Sequence, residues 1–268
     1  MTTALPPLAL RFVGGALVVS VSVGFGWLGG LWFTGFVALV IVLAGVEMWR
    51  LLVRAGHAAS IAILLASAGA AFIGIRFAEF IESAFAISLV LLASLALQLR
   101  RWRTRTVADW AVSFGSGFYL GWTGGHLALL REGEGGLTWL LFTLCTIWFV
   151  DSAAFAAGHL FGRHRLAPNI SPGKTWEGYI GGLFAGVVSG ASIGSLTSIG
   201  LWMGGLCGTL VGALSVLGDL IESMIKRWAH AKDSGHLIPG HGGVWDRIDS
   251  LLWAGVIVFY TRLFVGTV

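Results

Sequence analysis

Charged residues are scarce in this sequence: Asp, Glu, Lys and Arg together make up only 11% of its 268 residues. A soluble domain has about a quarter of its residues charged, so this scarcity excludes an ordinary soluble protein. Hydrophobic residues account for 56% of the chain, and the mean hydropathy is +0.85. The composition therefore indicates an integral membrane protein.

Cysteine is also rare, and the two residues present, Cys145 and Cys207, both lie in apolar stretches. They offer neither a disulfide framework nor the ligand spacing of a metal site. The N-terminus lacks a basic segment and an evident small-residue cleavage site, so we interpret its first apolar run as a retained helix. The formal net charge is only +4, and we expect no nucleic-acid partner.

Long apolar runs occupy most of the chain. A membrane-spanning helix needs about 20 mostly apolar residues. The sequence has nine such runs, at about 8–28, 30–49, 58–75, 79–99, 107–130, 137–160, 178–199, 201–222 and 249–266. Because strands of a membrane barrel are about ten residues long and alternate apolar with polar, continuous runs favour helices. The predicted fold is an all-α polytopic membrane protein with about nine transmembrane helices.

The basic residues predict how these helices are oriented. Fourteen of the 17 Lys and Arg residues fall on the side of the N-terminus and of alternate loops, whereas Arg76, Arg131 and Arg262 fall on the other side. Cytoplasmic loops are enriched in Lys and Arg, so the N-terminus is predicted to be cytoplasmic. We assign about five helices to residues 1–135 and a catalytic region of about four helices to residues 136–268, with cytoplasmic loops at 161–177 and 223–248.

Two of the runs carry glycine at every fourth position, which places the glycines on one face of a helix. They are Gly178, Gly182, Gly186, Gly190 and Gly194 in one run and Gly204, Gly208 and Gly212 in the next. Small residues on one face allow two helices to approach closely in lipid. The pattern predicts tight packing and leaves open whether the partner helix is in the same chain.

The most polar stretch of the chain is residues 218–250. On a helix, Asp219, Ser223 and Lys226 line one face at the end of the eighth run. Asp246 and Asp249 lie one turn apart at the start of the ninth run. The glycine-rich residues 239–243 between them can offer backbone N–H groups to an anion.

These residue types predict a reaction class. Carboxylates that converge from separate helices suit Mg²⁺, which proteins usually hold with one or two carboxylates and substrate phosphates. Lys and Arg beside them suit phosphate groups. Together the parts are typical of phosphoryl or nucleotidyl transfer. Glu222 and Asp233 have two interpretations, as members of this site or as salt-bridged loop residues.

A second polar group lies at and after the sixth run. Asp151 falls inside that apolar run, where an ionisable residue indicates function. Ser171 and Lys174 can bind phosphate, whereas Thr175 and Glu177 can equally act as capping groups at a helix start. Elsewhere we interpret His126 and His159 as packing residues. Acids near the ends of the runs are interpreted as solvated: Glu47, Glu79, Glu82 and Asp109.

One pattern of spaced residues is specific enough to suggest a family. It consists of Ser223, Lys226, Arg227, Lys232, Asp233, residues 239–243, Asp246, Arg247 and Asp249. This pattern resembles the signature of the phosphatidate cytidylyltransferases, also called CDP-diacylglycerol synthases. Asp151 with residues 171–178 is similar to a second stretch of that family. The resemblance covers about residues 145–250, and the N-terminal half matches only as apolar spans.

The resemblance implies that CTP and phosphatidic acid give CDP-diacylglycerol and pyrophosphate. It also implies a requirement for Mg²⁺, K⁺ beside it in some members, and a homodimer. The implied catalytic residues are Asp219, Asp246, Lys226 and Arg227. The implied metal ligands are Asp219, Asp246, Asp249 and Ser223. Contacts to substrate or nucleotide are expected from Ser171, Lys174, Ser223, Lys232, His241, Gly242, Gly243 and Arg247.

Two other functions compete with this one. A CTP-dependent kinase of polyprenol or phytol would share the metal and nucleotide parts but need a hydroxyl acceptor, and the complete match over residues 223–249 argues against it. A transporter with Asp151 as its coupling site would show two similar halves, and we find no such repeat. The expected location, among membrane lipids, is a bacterial inner membrane with the active site on the cytoplasmic face.

Overall fold

The structure is a computed structural model that describes residues 7–77, 79–238 and 242–265. These residues form nine α-helices and one short hairpin. The helices are α1 (Pro7–Leu28), α2 (Gly30–Arg54), α3 (Ile61–Phe77), α4 (Phe80–Arg100), α5 (Val107–Leu130), α6 (Gly136–Phe161), α7 (Trp176–Ser195), α8 (Leu201–Trp228) and α9 (Trp245–Val265). The strands β1 (Arg165–Ala167) and β2 (Ser171–Thr175) pair antiparallel between α6 and α7.

Each of the nine apolar runs predicted from the sequence corresponds to a helix in the described part of the chain. Among the residues that the structure describes, five helices are long and apolar enough to cross a membrane: Gly30–Arg54, Ile81–Arg100, Gly136–Phe161, Leu201–Trp228 and Trp245–Val265. The prediction of an all-α fold of membrane type is therefore confirmed. α8 continues to Trp228, beyond its predicted end at 222, and this keeps Lys226 on the helix.

The two glycine ladders bring α7 and α8 into direct backbone contact. A Cβ atom added at Gly190 would overlap the carbonyl of Gly204, and one added at Gly208 would overlap the carbonyl of Gly186. Any side chain at these positions would therefore push the helices apart. The sequence left open whether the partner helix belongs to the same chain, and the structure shows that it does.

Two apolar clusters hold the helices together. The first joins α2, α3, α5 and the start of α9, and it includes Met48, Leu120 and Trp245. The second joins α6, α8 and α9 and includes Val211 and Val258. Because α9 contributes to both clusters, it links the N-terminal helices to the C-terminal ones.

Two acids that were predicted to be solvated are buried instead. Glu47 in α2 is 0% exposed and Asp109 in α5 is 7% exposed. Asp109 accepts hydrogen bonds from the backbone N–H of Thr106 at 2.7 Å and of Ala58 at 2.9 Å. The prediction was wrong because a carboxylate whose oxygens satisfy backbone donors can be buried. The other two acids are exposed as predicted, Glu79 and Glu82.

Candidate active site

A polar cavity of about 800 Å³ lies where α6, the β1–β2 hairpin, the end of α8 and the start of α9 meet. Small-molecule sites are typically about 300–1,000 Å³. Its wall contains six carboxylates and four Lys or Arg side chains: Asp151, Asp219, Glu222, Asp233, Asp246, Asp249, Arg165, Lys174, Lys226 and Arg247. The two polar stretches that were singled out separately in the sequence thus meet in one place.

Three of the carboxylates form a cluster that can hold a cation. One oxygen from each of Asp219, Glu222 and Asp249 lies within 4.8 Å of the others. Glu222 and Asp249 are buried, and among the described residues the Oε1 atom of Glu222 finds no hydrogen-bond partner. Carboxylates this close disfavour one another's charged form. An oxygen-seeking cation such as Mg²⁺ fits this set of carboxylate donors.

Two lysines reach this cluster from different elements. Nζ of Lys174, on β2, lies 2.6 Å from Oδ2 of Asp219. Nζ of Lys226 lies 2.8 Å from Oε2 of Glu222 and 2.8 Å from Oδ1 of Asp246. The side chains of Lys174 and Asp219 are 23% and 36% exposed, so this pair is accessible to a ligand in the cavity.

Asp246 is tied to the loop that precedes α9. Its Oδ2 atom accepts hydrogen bonds from the backbone N–H of Gly243 at 2.7 Å and from the hydroxyl of Ser234 at 3.0 Å. The backbone N–H of Ser234 also donates to Oδ2, at 3.0 Å. The N–H of Gly243, which the sequence suggested for an anion, is therefore used by a carboxylate of the chain itself. The metal-binding role of Asp246 stays a prediction, and the third acid beside Asp219 and Asp249 is Glu222.

An acid from the N-terminal half reaches the same loop. Glu47 accepts hydrogen bonds from the backbone N–H groups of Val244 at 3.0 Å and Trp245 at 2.9 Å. Its Oε2 atom also lies 2.9 Å from the hydroxyl oxygen of Ser234, whose single hydrogen is shared with Asp246. The partners are 187 to 198 positions away along the chain. No local spacing in the sequence could have indicated this contact.

The remaining predicted binding residues differ in how near they are to the cavity. Ser171 and Arg247 line it, and the hydroxyl of Ser223 donates to Asp219 at 3.3 Å. Arg227 instead donates to the backbone carbonyl of Ile170 at 3.2 Å. Its catalytic role, and the substrate contacts expected of the exposed Lys232 and of Gly242, stay predictions. His241, for which a contact to substrate or nucleotide was predicted, lies outside the described residues.

The two histidines interpreted as packing residues differ in their surroundings. His126 is buried, with Nε2 3.0 Å from the hydroxyl of Tyr260, so its interpretation is confirmed. His159 is exposed, stacks on Phe155 and lines the polar cavity. Its interpretation was wrong, because the face of α6 that carries His159 borders the cavity and leaves this side chain exposed.

The hairpin that carries Lys174 is fixed by the start of α7. The hydroxyl of Thr175 accepts a hydrogen bond from the backbone N–H of Gly178 at 3.1 Å, as the capping interpretation predicted. Glu177 lies 2.6 Å from Nδ1 of His164 and accepts from the backbone N–H of Arg163. The hydrogen bond with His164 and those from the backbone lower the pKa of Glu177 to about 2. Glu177 therefore stays ionised near neutral pH.

A second cavity, of about 240 Å³, is lined mainly by apolar side chains of α1, α2, α6 and α9, among them Val21, Phe33, Ile41 and Leu144. Arg247 lies on the wall of this cavity and of the polar cavity. An apolar space that ends at a cation suits an amphipathic molecule with an anionic headgroup.

Residues 9–265 match the sequence profile of the cytidylyltransferase family. The phosphatidate cytidylyltransferase of Brucella suis is 43% identical over 144 residues, which is 53% of this chain and 53% of the relative. That of Haemophilus influenzae is 44% identical over 139 residues, 48% of this chain and 47% of the relative. That of Staphylococcus saprophyticus is 35% identical over 175 residues, 65% of each. The chain spans about half the length of the first two relatives.

Proposed function

Because the chain belongs to the cytidylyltransferase family, we propose that it transfers the cytidylyl group of CTP to phosphatidic acid. The products are CDP-diacylglycerol and pyrophosphate, in phospholipid biosynthesis. Three of the relatives that it matches carry the name phosphatidate cytidylyltransferase. The observation that carries the proposal is the polar cavity, in which Asp219, Glu222 and Asp249 lie beside Lys174 and Lys226.

The charge of the cavity supports a bound divalent cation. Its wall has six carboxyl groups and four Lys and Arg side chains, and the ionised carboxylates would repel the phosphates of a nucleoside triphosphate unless a cation lay between them. Asp219, Glu222 and Asp249 are the residues that would hold Mg²⁺. When bound, Mg²⁺ would offset charge on the phosphates of CTP and on the leaving pyrophosphate. K⁺ beside it stays an expectation from the family resemblance.

The two lysines would have different roles in this reaction. Lys174 is accessible in the cavity and can exchange its contact with Asp219 for a phosphate oxygen of CTP. Lys226 is held between Glu222 and Asp246 and keeps two acids in place beside the site. An oxygen of the lipid phosphate attacks the α-phosphorus of CTP, the bond to the α–β bridging oxygen breaks, and pyrophosphate leaves with the electron pair. Because a phosphate monoester is largely ionised near neutral pH, the reaction needs no general base.

Arg247 supports a lipid acceptor over a soluble one. It lines both the polar cavity and the apolar cavity. A lipid phosphate beside Arg247 would leave its acyl chain directed toward apolar walls, while its oxygen faces the site of CTP. A soluble phosphate would have no use for the apolar cavity.

We extend the proposal to the arrangement in the membrane. The chain would cross the membrane nine times, with a cytoplasmic N-terminus and the polar cavity at the cytoplasmic surface, where CTP is available. A homodimer is proposed from the family resemblance. A bacterial inner membrane is proposed from the short loops of the sequence and from the bacterial relatives. Residues 136–268 would form the catalytic region, and residues 1–135 would pack beside it.

The test is pyrophosphate release by the purified protein in detergent micelles that contain phosphatidic acid, with CTP and with or without Mg²⁺. We expect release that requires both phosphatidic acid and Mg²⁺. Asp219→Asn should lower the rate by about 100-fold or more. Loss of a residue that merely orients a metal ligand already costs about 10–100-fold, and Asp219 is proposed as a ligand itself. Glu82→Gln, at an exposed position of α4, is the matched control and should keep the full rate.

Two results would overturn the proposal. Absence of release with phosphatidic acid, together with CTP consumption when a polyprenol is supplied, would assign the protein to the lipid kinases. Equal rates for Asp219→Asn and the unchanged protein would show that the reaction does not take place in the polar cavity.

A further inference from the structure

We propose that Glu47, in the N-terminal half of the chain, is a positioning residue for the active site. Its carboxylate would hold the loop before α9 and the first turn of α9 in the geometry that the cavity needs. The inference rests on the proposed function for its catalytic consequence, whereas its structural part stands on contacts alone. Glu47 itself is absent from the cavity wall that the described residues form.

Glu47 caps a helix that is distant in sequence. α9 begins at Trp245, and the first N–H groups of a helix have no partner within the helix. Oε1 of Glu47 accepts from the N–H of Val244, and Oε2 accepts from the N–H of Trp245. A carboxylate at this end also interacts favourably with the helix dipole. Glu47 therefore does for α9 what a local capping residue usually does.

The surroundings of Glu47 are built around its carboxylate. A Cβ atom added at Gly235 or Gly243 would overlap the side chain of Glu47. Because the Glu47 carboxylate lies this close to the backbone on two sides, both positions require glycine. Ser234 and Glu47 both approach Gly243 too closely for a Cβ atom, which gives a structural reason for the last residue of the glycine-rich motif. The substrate contact expected of Gly243 stays a prediction.

A chain of hydrogen bonds leads from Glu47 into the cavity. The hydroxyl of Ser234 lies between Oε2 of Glu47 at 2.9 Å and Oδ2 of Asp246 at 3.0 Å. Oδ1 of Asp246 contacts Lys226, which contacts Glu222 of the acidic cluster. Movement of Glu47 would therefore shift Asp246 and Lys226. Asp249 lies in the same first turns of α9 and would move with them.

The experiment compares Glu47→Gln with the unchanged full-length protein. Glutamine has the same shape, but its NH₂ group would face an N–H or O–H donor where the carboxylate has an oxygen, so at least one hydrogen bond is lost. Asp109→Asn is the matched control, because Asp109 is also a buried acid that accepts backbone N–H groups outside the cavity. Ser234→Ala removes the hydroxyl between Glu47 and Asp246 and leaves the contacts of Glu47 with the start of α9 in place. It provides the test if Glu47→Gln does not fold.

Three quantities would be measured at a temperature where all variants are folded. Hydrogen exchange of peptides that cover residues 232–250 reports the loop without requiring activity. Binding of Mn²⁺, followed by its electron paramagnetic resonance signal, reports the acidic cluster. The rate of pyrophosphate release reports catalysis, with kcat separated from the KM for CTP.

We expect Glu47→Gln to speed exchange in residues 232–250, to weaken Mn²⁺ binding by about 10–100-fold and to lower kcat by a similar factor. Asp109→Asn should leave all three unchanged. Unchanged exchange or unchanged Mn²⁺ affinity in both Glu47→Gln and Ser234→Ala would overturn the inference and leave Glu47 a structural residue. If the unchanged protein releases no pyrophosphate, the proposed function fails, and the exchange and Mn²⁺ measurements still decide the role of Glu47.

Discussion

At the scale of single residues, Glu222 has two oxygens with different surroundings. Oε2 lies 2.8 Å from Nζ of Lys226, whereas Oε1 is buried with no partner among the described residues. Glu222→Gln would keep an oxygen for Lys226 and remove a negative charge from the cluster with Asp219 and Asp249. We expect the dissociation constant for Mn²⁺ to rise by about tenfold or more, measured by isothermal titration calorimetry.

The control for this prediction is Glu82→Gln, which removes a charge at an exposed position and should leave Mn²⁺ binding unchanged. If Glu222→Gln binds Mn²⁺ as tightly as the unchanged protein does, Glu222 serves only as the ion-pair partner of Lys226. The metal would then be held by the other acids of the cavity.

The sequence reveals residues of this site only where their spacing is local. Asp219, Ser223 and Lys226 follow helical spacing, and the structure brings all three to the same region. Glu47 shows no such spacing, because its partners lie 187 or more positions away. An acid near the end of an apolar run is more often solvated, so the sequence favoured the wrong interpretation. Only the fold reveals that backbone donors surround it.

At the scale of elements, the contact between α7 and α8 depends on the absence of side chains. Gly208→Ala would place a methyl group against the backbone of Gly186. Over-packing of this kind costs about 1–3 kcal/mol. We expect Gly208→Ala to lower the melting temperature in detergent, measured by the loss of monodisperse protein after heating.

Gly205→Ala in the same helix is the control for that prediction. A Cβ atom there would lie 3.7 Å from the Cβ of Ala191, an ordinary contact. Because alanine favours helix more than glycine does, this variant should be at least as stable as the unchanged protein. Equal melting of the two variants would mean that α7 and α8 can separate without loss.

The elements themselves could be predicted well, because apolar runs are set by composition over many residues. The ends of the helices were harder to predict, because polar residues can continue a helix beyond its apolar run. Thus α8 continues to Trp228, and its last turns carry Lys226 to the cavity and Arg227 to the hairpin. The β1–β2 hairpin was not predicted. Its strands are three and five residues long, too short for alternation of apolar and polar residues to identify them.

At the scale of the whole molecule, the proposed orientation in the membrane can be tested with single cysteines. Thr104→Cys and Glu134→Cys would each be made in a chain that also carries Cys145→Ala and Cys207→Ala. Residues 104 and 134 are exposed and lie in loops on opposite sides of the proposed membrane. In intact spheroplasts, a maleimide that cannot cross membranes should label Glu134→Cys and spare Thr104→Cys.

Permeabilised cells provide the control, since both cysteines should then react. The opposite labelling pattern in intact spheroplasts would invert the proposed topology and place the polar cavity outside the cytoplasm, away from CTP. Labelling of both positions without permeabilisation would show that the intervening segment does not cross the membrane.

The shared position of Arg247 has a consequence for how the reaction would be measured. Because this residue borders both the polar and the apolar cavity, a lipid substrate could present its phosphate without leaving the bilayer, and the product would remain there. On the proposed function, encounters between enzyme and lipid take place in two dimensions. The rate would then follow the mole fraction of phosphatidic acid in the membrane and not its amount per volume of solution. Dilution with neutral lipid would slow the enzyme, and dilution with buffer would not.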